Sequence, residues 1–312
     1  MKTNQGWKKH NYDVRPGIKI RGKWHGKTYL IKSKLGSGAI GAVYLCESNG
    51  KHAALKLSDN RSSMTVEVNV LQSLGKVQGN RLGPSLLDVD DWTSPTGTKY
   101  SFYVMEYLQG EPLISYIQSR GQAWIGVFMI QLLDVLEDLH KSGWVFGDLK
   151  TDNLLVVSSP PKIRWVDVGG MTQMGRAIKE YTEFFDRGYW GLGSRKAEPS
   201  YDLFAFAMIF IHVYYPQRFA KGPHPQKMLF RKIDEAKALI PYRSLLKNAI
   251  MGKYRSSTQV KKELVQIIYT AQRKRQQQKT QGQSVKQSAL LLEAGGISMM
   301  AVSYYVISLL FQ

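Results

Sequence analysis

The chain has 312 residues, 43% of them apolar and 21% charged. This excludes a wholly disordered or collagen-like polymer and leaves room for one large or two small domains. A single cysteine, Cys46, excludes an internal disulfide framework and a multi-cysteine zinc cage. The formal net charge of +19 points to a polyanionic partner: nucleic acid, an anionic membrane or a phosphorylated ligand. That charge is segregated. Residues 1–35 carry +9 and residues 218–286 carry +14, whereas 36–217 carry −3.

In chain order, a basic N-terminal segment (1–27) is followed by short alternating runs that predict strands over Thr28–Lys34, Ala42–Glu47 and His52–Leu57. Ser62 or Ser63 is placed to cap a helix whose apolar positions Val66, Val70, Leu71 and Leu74 recur at helical spacing. Tyr100–Met105 reads as another strand. Trp124–His140 reads as a long amphipathic helix, and Leu203–Tyr215 is apolar almost all round, the pattern of a buried helix. Strands first and helices later give an α+β chain in two lobes, small and β-rich at about 28–108, larger and α-rich at about 109–267.

Residues 268–288, rich in Gln, Lys and Arg, read as a basic flexible tether that buries too little apolar surface to offset its ordering entropy. The run 289–311 carries only Glu293 as a charge. As a helix it would be about 34 Å long, enough to cross a hydrocarbon core of about 30 Å. A C-terminal transmembrane helix is therefore expected, with the basic flank and the body on the cytosolic side of the cell membrane.

Four motifs carry chemistry. Gly36-Ser37-Gly38-Ala39-Ile40-Gly41-Ala42-Val43 fits G-x-G-x-x-G-x-V. It continues as a strand rather than opening a helix, so it suits a flap over a triphosphate better than a dinucleotide fingerprint. Lys56 follows in the apolar run Ala53-Ala54-Leu55-Lys56, where a charge is costly unless it meets an anion. Phe146-Gly147-Asp148-Leu149-Lys150-Thr151-Asp152-Asn153 comes next, and Asp167-Val168-Gly169 ends a strand that begins at Ile163.

In this order and spacing the motifs resemble the protein-kinase superfamily, specifically bacterial eukaryotic-like (Hanks-type) serine/threonine kinases, over about 28–265. The resemblance implies a two-lobed protein-kinase fold, ATP and Mg²⁺ as cofactors, and transfer of phosphate to Ser/Thr hydroxyls of protein substrates, autophosphorylation included. It implies nucleotide contacts at Gly36, Ser37, Gly38, Gly41, Val43, Ala54 and Lys56, and in the hinge at Glu106 and Leu108. Lys56 would hold the phosphates and pair with a helix glutamate; Glu67 is the partner by elimination, Asp59 being the only other acid between Lys56 and Gly75. Asp148 would orient or deprotonate the acceptor hydroxyl and Lys150 would steady the transferring group. Asn153 and Asp167 would supply oxygen ligands to the metal. Asp202 matches an acid that braces the catalytic loop.

The departures are specific. The usual His-Arg before the catalytic Asp is Phe146-Gly147, which removes the standard clamp for a phosphorylated activation loop. Val168 replaces the Phe of Asp-Phe-Gly, and no Ala-Pro-Glu stands at the expected distance before Asp202. Thr172, Thr182 and Ser194 are candidate phosphosites in this segment. The alternatives are a small-molecule or lipopolysaccharide-type kinase on the same fold, and a pseudokinase scaffold.

The basic ends suggest sequence-independent contact with double-stranded DNA or anionic lipid through Lys8, Lys9, Arg15, Lys19, Arg21, Lys23, Arg273, Lys274 and Arg275. Several kinases on one duplex would be concentrated for trans-phosphorylation as transient homodimers.

Overall fold

The computed structural model describes residues 14–38, 41–75, 83–157, 160–281, 302–304 and 306. It divides into two compact units, Met1–Leu108 and Gln109–Gln312.

Unit 1 is built on a six-stranded antiparallel sheet: β1 (Lys19–Arg21), β2 (Thr28–Ser37), β3 (Ala42–Ser48), β4 (Lys51–Ser58), β5 (Leu86–Thr93) and β6 (Lys99–Glu106), in spatial order β1-β2-β3-β4-β6-β5. Its inward side chains, among them Ile20, Tyr29, Ile31, Tyr44, Cys46, Leu55, Leu57, Phe102 and Val104, form one core. The sheet curls so that its two edges meet. In the turn after β1, the Lys23 N–H donates to the Asp91 carbonyl (2.9 Å). The N–H groups of Trp24 and His25 donate to the Asp90 carboxylate at 2.9 and 2.8 Å. Three aspartates hide β5 from a reading by hydrophobic alternation, yet Asp88 and Asp90 are buried because this turn satisfies them.

One helix, α1 (Arg61–Gly75), packs on the sheet with Met64, Glu67, Val70, Leu71 and Leu74 buried. Val66, expected on that face, is 52% exposed. The start of the helix explains the phase: Asn60, not Ser62 or Ser63, accepts the Ser63 N–H (3.1 Å), so the buried stripe begins at Met64.

Unit 2 opens with β7 (Gly110–Pro112), α2 (Leu113–Arg120) and α3 (Trp124–Lys141). The short strands β8 (Trp144–Val145), β9 (Leu154–Val157), β10 (Lys162–Trp165) and β11 (Thr172–Gln173) follow, then α4 (Pro199–Tyr214), α5 (Pro225–Glu235), α6 (Arg243–Ile250) and α7 (Ser257–Gln281). As its composition predicts, α4 is buried on all sides from Tyr201 to Val213. It starts four residues before the apolar run, at Pro199, which fits the first turn of a helix.

The largest difference from the sequence reading lies at the C-terminal side. Residues 268–281, expected within a flexible tether, continue α7 as helix. Val260 and Leu264 bury its first turns, and Lys261 pairs with Asp134 of α3, so a packed N-terminal half nucleates the polar continuation. The expected membrane helix over 289–311 lies outside the described residues except at 302–304 and 306, which are helical. Among the described residues no helix is long and apolar enough to cross a membrane.

Candidate active site

Unit 1 holds the predicted nucleotide residues on adjacent strands. The glycine-rich segment turns from β2 into β3, where the Gly38 N–H donates to the Gly41 carbonyl (2.9 Å). A side chain at Gly41 would meet the Leu57 carbonyl oxygen at 2.4 Å, so only glycine lets this turn lie against β4. Ala39 and Ile40 fall outside the described residues. Strand register places Val43, Lys56 and Tyr103 in one row across β3, β4 and β6. Ala54 is buried beside Leu45 and Met105. Glu106 ends β6 and its carboxylate accepts from the Ser85 N–H and hydroxyl, both at 3.2 Å. Leu108, half-buried, ends the unit.

Lys56 is 7% exposed and its Nζ donates to Glu67 Oε2 at 2.7 Å, so the pair expected by elimination exists. Tyr103 donates its hydroxyl to the same oxygen at 2.7 Å. The sequence reading missed this third member; the signal was its place opposite Lys56 on a strand already assigned.

Unit 2 holds the predicted transfer residues. Antiparallel pairing of β9 with β10 sets Leu154 against Trp165. Asn153, just before one strand, and Asp167, just after the other, therefore come to the same end, and the Val166 N–H donates to the Asn153 carbonyl (3.1 Å). Two oxygen-bearing side chains, one amide and one carboxylate, suit a hard divalent cation. Among the described residues no group of three or more His, Cys, Asp or Glu forms a metal cluster, so the donors would be these two with phosphate and water oxygens.

The segment between β8 and β9 is held from below by Asp202, which is fully buried. Its carboxylate accepts from the N–H groups of Phe146 (2.7 Å) and Gly147 (3.1 Å) and pairs with His140 Nε2 (2.9 Å). Thr151 meets His212 Nδ1 at 2.8 Å, fixing the far end of the loop. Between these braces stand Asp148 and Lys150. Lys150 Nζ donates to Asp148 Oδ2 and, at 3.2 Å, to the Thr182 hydroxyl. The other carboxylate oxygen, Asp148 Oδ1, is buried and has no hydrogen-bond partner among the described residues.

The candidate phosphosites separate by environment. Thr182 is engaged by Lys150. Thr172, half-buried on β11, donates to the Gly170 carbonyl (3.1 Å), and Ser194 is exposed. The site of the absent Ala-Pro-Glu is taken by a buried Trp190, whose indole N–H donates to the Phe184 carbonyl (2.9 Å). Glu198, too near Asp202 to fill that role by spacing, pairs with Arg187 at 2.7 Å.

Among the basic residues read as DNA or lipid contacts, Arg15, Lys19, Arg21 and Lys23 are exposed, Lys19 and Arg21 flanking buried Ile20 on β1. Arg273 is exposed on α7. Lys274 and Arg275 continue that helix, and Lys8 and Lys9 fall outside the described residues.

The protein kinase domain family matches residues 29–290. The chain is 50% identical over 264 residues to the serine/threonine-protein kinase YabT of Bacillus subtilis, covering 84% of this chain and 78% of that one. It is 30% identical over 178 residues to the serine/threonine-protein kinase pim-2 of Danio rerio, covering 51% and 56%. The solved structure of vaccinia related kinase 3 shares the fold with a TM-score of 0.61 at 16% identity, over 83% of this chain and 92% of that one. The chain therefore belongs to the protein kinase family, as a bacterial Hanks-type, ATP-dependent serine/threonine protein kinase.

Proposed function

We propose that Asp148 is the residue on which phosphoryl transfer turns. One observation carries this reading: a partly buried carboxylate whose Oδ2 is held by Lys150 while its buried Oδ1 has no hydrogen-bond partner among the described residues. A buried acceptor without a donor is costly, and the hydroxyl of a substrate Ser or Thr would relieve it. Asp148 then orients that hydroxyl and takes up its proton as the oxygen attacks the γ-phosphorus of ATP, the bond from that phosphorus to the β-phosphate oxygen breaks and ADP leaves. Lys150 lies within reach of both the acid and Thr182, where its charge offsets negative charge on the transferring group. Lys56, paired with Glu67, would hold the phosphates, and the glycine-rich segment between β2 and β3 would bring backbone N–H groups to them. Asn153 and Asp167 would hold Mg²⁺, which would neutralise phosphate charge when bound.

The finer reading concerns location and control. A C-terminal apolar run with Glu293 as its one charge supports a membrane anchor over 289–311. Exposed Arg15, Lys19, Arg21 and Lys23, with the basic stretch of α7, support sequence-independent binding of duplex DNA and DNA-stimulated autophosphorylation.

Phosphate transfer from labelled ATP, measured on the full chain in detergent with Mg²⁺, tests both. Asp148→Asn is expected to lower the rate by about 10²–10⁴-fold; a wild-type rate would overturn the assignment. Stimulation by duplex DNA that disappears at high salt supports the DNA reading. Stimulation by anionic vesicles alone transfers the basic residues to the membrane.

A further inference from the structure

Thr182 sits where it can meet Lys150, and the structure shows what holds it there. Residues 182–185 form a single tight turn in which the Phe185 N–H donates to the Thr182 carbonyl (2.9 Å). Phe184 and Phe185 bury the turn, and Asp186 closes it. Asp186 is wholly buried, and its carboxylate accepts five hydrogen bonds. Arg195 donates Nε (2.8 Å) and Nη2 (2.6 Å) to Oδ2, and Tyr189 donates its N–H to the same oxygen (2.8 Å). Tyr201 donates its hydroxyl (2.8 Å) and Gly188 its N–H (3.0 Å) to Oδ1.

The same Arg195 guanidinium lies 4.1 Å from the ring centre of Tyr181, the residue before Thr182. One side chain thus grips the chain on both sides of Thr182. Its own backbone is fixed as well: the Ile178 N–H donates to the Arg195 carbonyl (2.8 Å), and the Ala197 N–H to the Arg176 carbonyl (2.8 Å). Next to Asp186, Arg187 reaches across the same loop in the opposite polarity, to Glu198 Oε1 (2.7 Å), the Ser200 hydroxyl (2.7 Å) and the Ser194 carbonyl (2.6 Å).

We propose that Arg195 is a positioning residue for phosphoryl transfer, clamping Tyr181 and Asp186 so that Thr182 is presented to Lys150 without a phosphorylated activation segment. Burying Asp186 is costly, and apolar packing would stabilise the loop as well. A planar fork on a buried carboxylate instead fixes geometry. The first turn of α4 ties this clamp to the catalytic loop through consecutive residues. Tyr201 holds Asp186, and Asp202 holds the Phe146 and Gly147 N–H groups. The proposal rests on the assignment of Asp148 and Lys150, which the Asp148→Asn variant tests separately.

The experiment is a double-mutant cycle on the full chain, read by single-turnover phosphate transfer to a Ser-containing protein substrate after phosphatase treatment. Arg195→Lys keeps the charge but loses the fork and the flat stacking surface. It is expected to lower the transfer rate about tenfold while the KM for ATP stays put. Thr182→Ala is expected to fall similarly, and the double variant no further than the lower single. Tyr201→Phe, which removes one donor from Asp186, should move the rate in the same direction by a smaller factor. Additive losses, an unchanged rate in Arg195→Lys, or recovery of that rate only after autophosphorylation would each overturn the proposal. Circular dichroism and melting temperature identify a variant that fails to fold; Tyr201→Phe, which removes a single hydroxyl, then carries the test.

Discussion

Gly147 lies against Gly170 so closely that a Cβ on Gly147 would stand 2.4 Å from the Gly170 carbonyl oxygen. The next residue closes on Gly170 as well, since a Cβ on Gly170 would meet Asp148 Cβ at 2.6 Å. Gly147 occupies the position where the family usually carries the arginine that clamps a phosphorylated loop. Here the Gly170 carbonyl group fills that space, and a φ of +76° disfavours any side chain.

Gly147→Ala should therefore inactivate the enzyme. The left-handed conformation alone costs an L-residue about 1–2 kcal/mol, and relieving the clash displaces Asp148. A fall in rate of more than tenfold with ATP affinity retained is expected, and Gly147→Arg, which restores the usual residue, should be at least as damaging. Transfer assays beside nucleotide titrations check this; an active Gly147→Arg protein would show that the segment can move aside.

The Lys56–Glu67–Tyr103 trio gives a graded series. Glu67→Ala removes the carboxylate facing a buried ammonium, a change that costs about 3–5 kcal/mol when a buried pair is broken. Tyr103→Phe removes one hydrogen bond, worth about 1 kcal/mol. The catalytic efficiency toward ATP should fall strongly in the first and a few-fold in the second. Urea unfolding should rank stability in the same order.

Asp202→Asn should leave nucleotide binding intact and depress turnover. An amide has one acceptor oxygen where the carboxylate accepts from two backbone N–H groups and meets His140. Each buried donor left without a partner costs about 1–3 kcal/mol, and the cost falls on the residues that set Asp148. A loss of about tenfold or more in turnover is expected; calorimetric titration with nucleotide separates it from a binding defect.

The pH dependence of stability has a defined sign. Burial raises the Asp186 carboxyl, but the Arg195 fork, the Tyr201 hydroxyl and two backbone N–H groups outweigh it and hold the group below its ordinary value. A depressed carboxylate contributes stability that is complete above its unfolded value of about 3.9 and is lost as pH falls through the lower folded value. His212, pushed down by burial and by the charge of Arg218, likewise contributes stability above about pH 6.5 that fades as pH falls through its folded value. Unfolding free energy should decline in two acid steps. Asp186→Asn should flatten the lower one, and an unaltered acid limb in that variant would contradict the assignment.

Much of the active site was legible because its residues are local in sequence. The glycine turn joins two strands whose alternation is readable, Lys56 lies within the next, Asp167 follows the strand that begins at Ile163, and Glu67 follows from a shortage of acids nearby. Strand β5 was hidden because three aspartates interrupt its pattern, and their partners lie more than sixty residues away in the turn at 24–25. The continuation of α7 past residue 267 was misread because its composition is polar and its helical state depends on packing at Val260 and Leu264.

The sequence by itself determined the class of chemistry: a lysine on an apolar strand, an acid and a lysine two residues apart, and an Asn and an Asp at the ends of two strands. These are short-range choices of residue type, constrained by charge, metal preference and strand period. The tertiary structure alone decided what orders them. Tyr103 on Glu67, Gly170 against Gly147, and Arg195 on either side of Thr182 are all pairings between distant positions. Directional hydrogen bonds and close backbone contacts specify them only once the chain has folded, because neither leaves a periodic trace along the sequence.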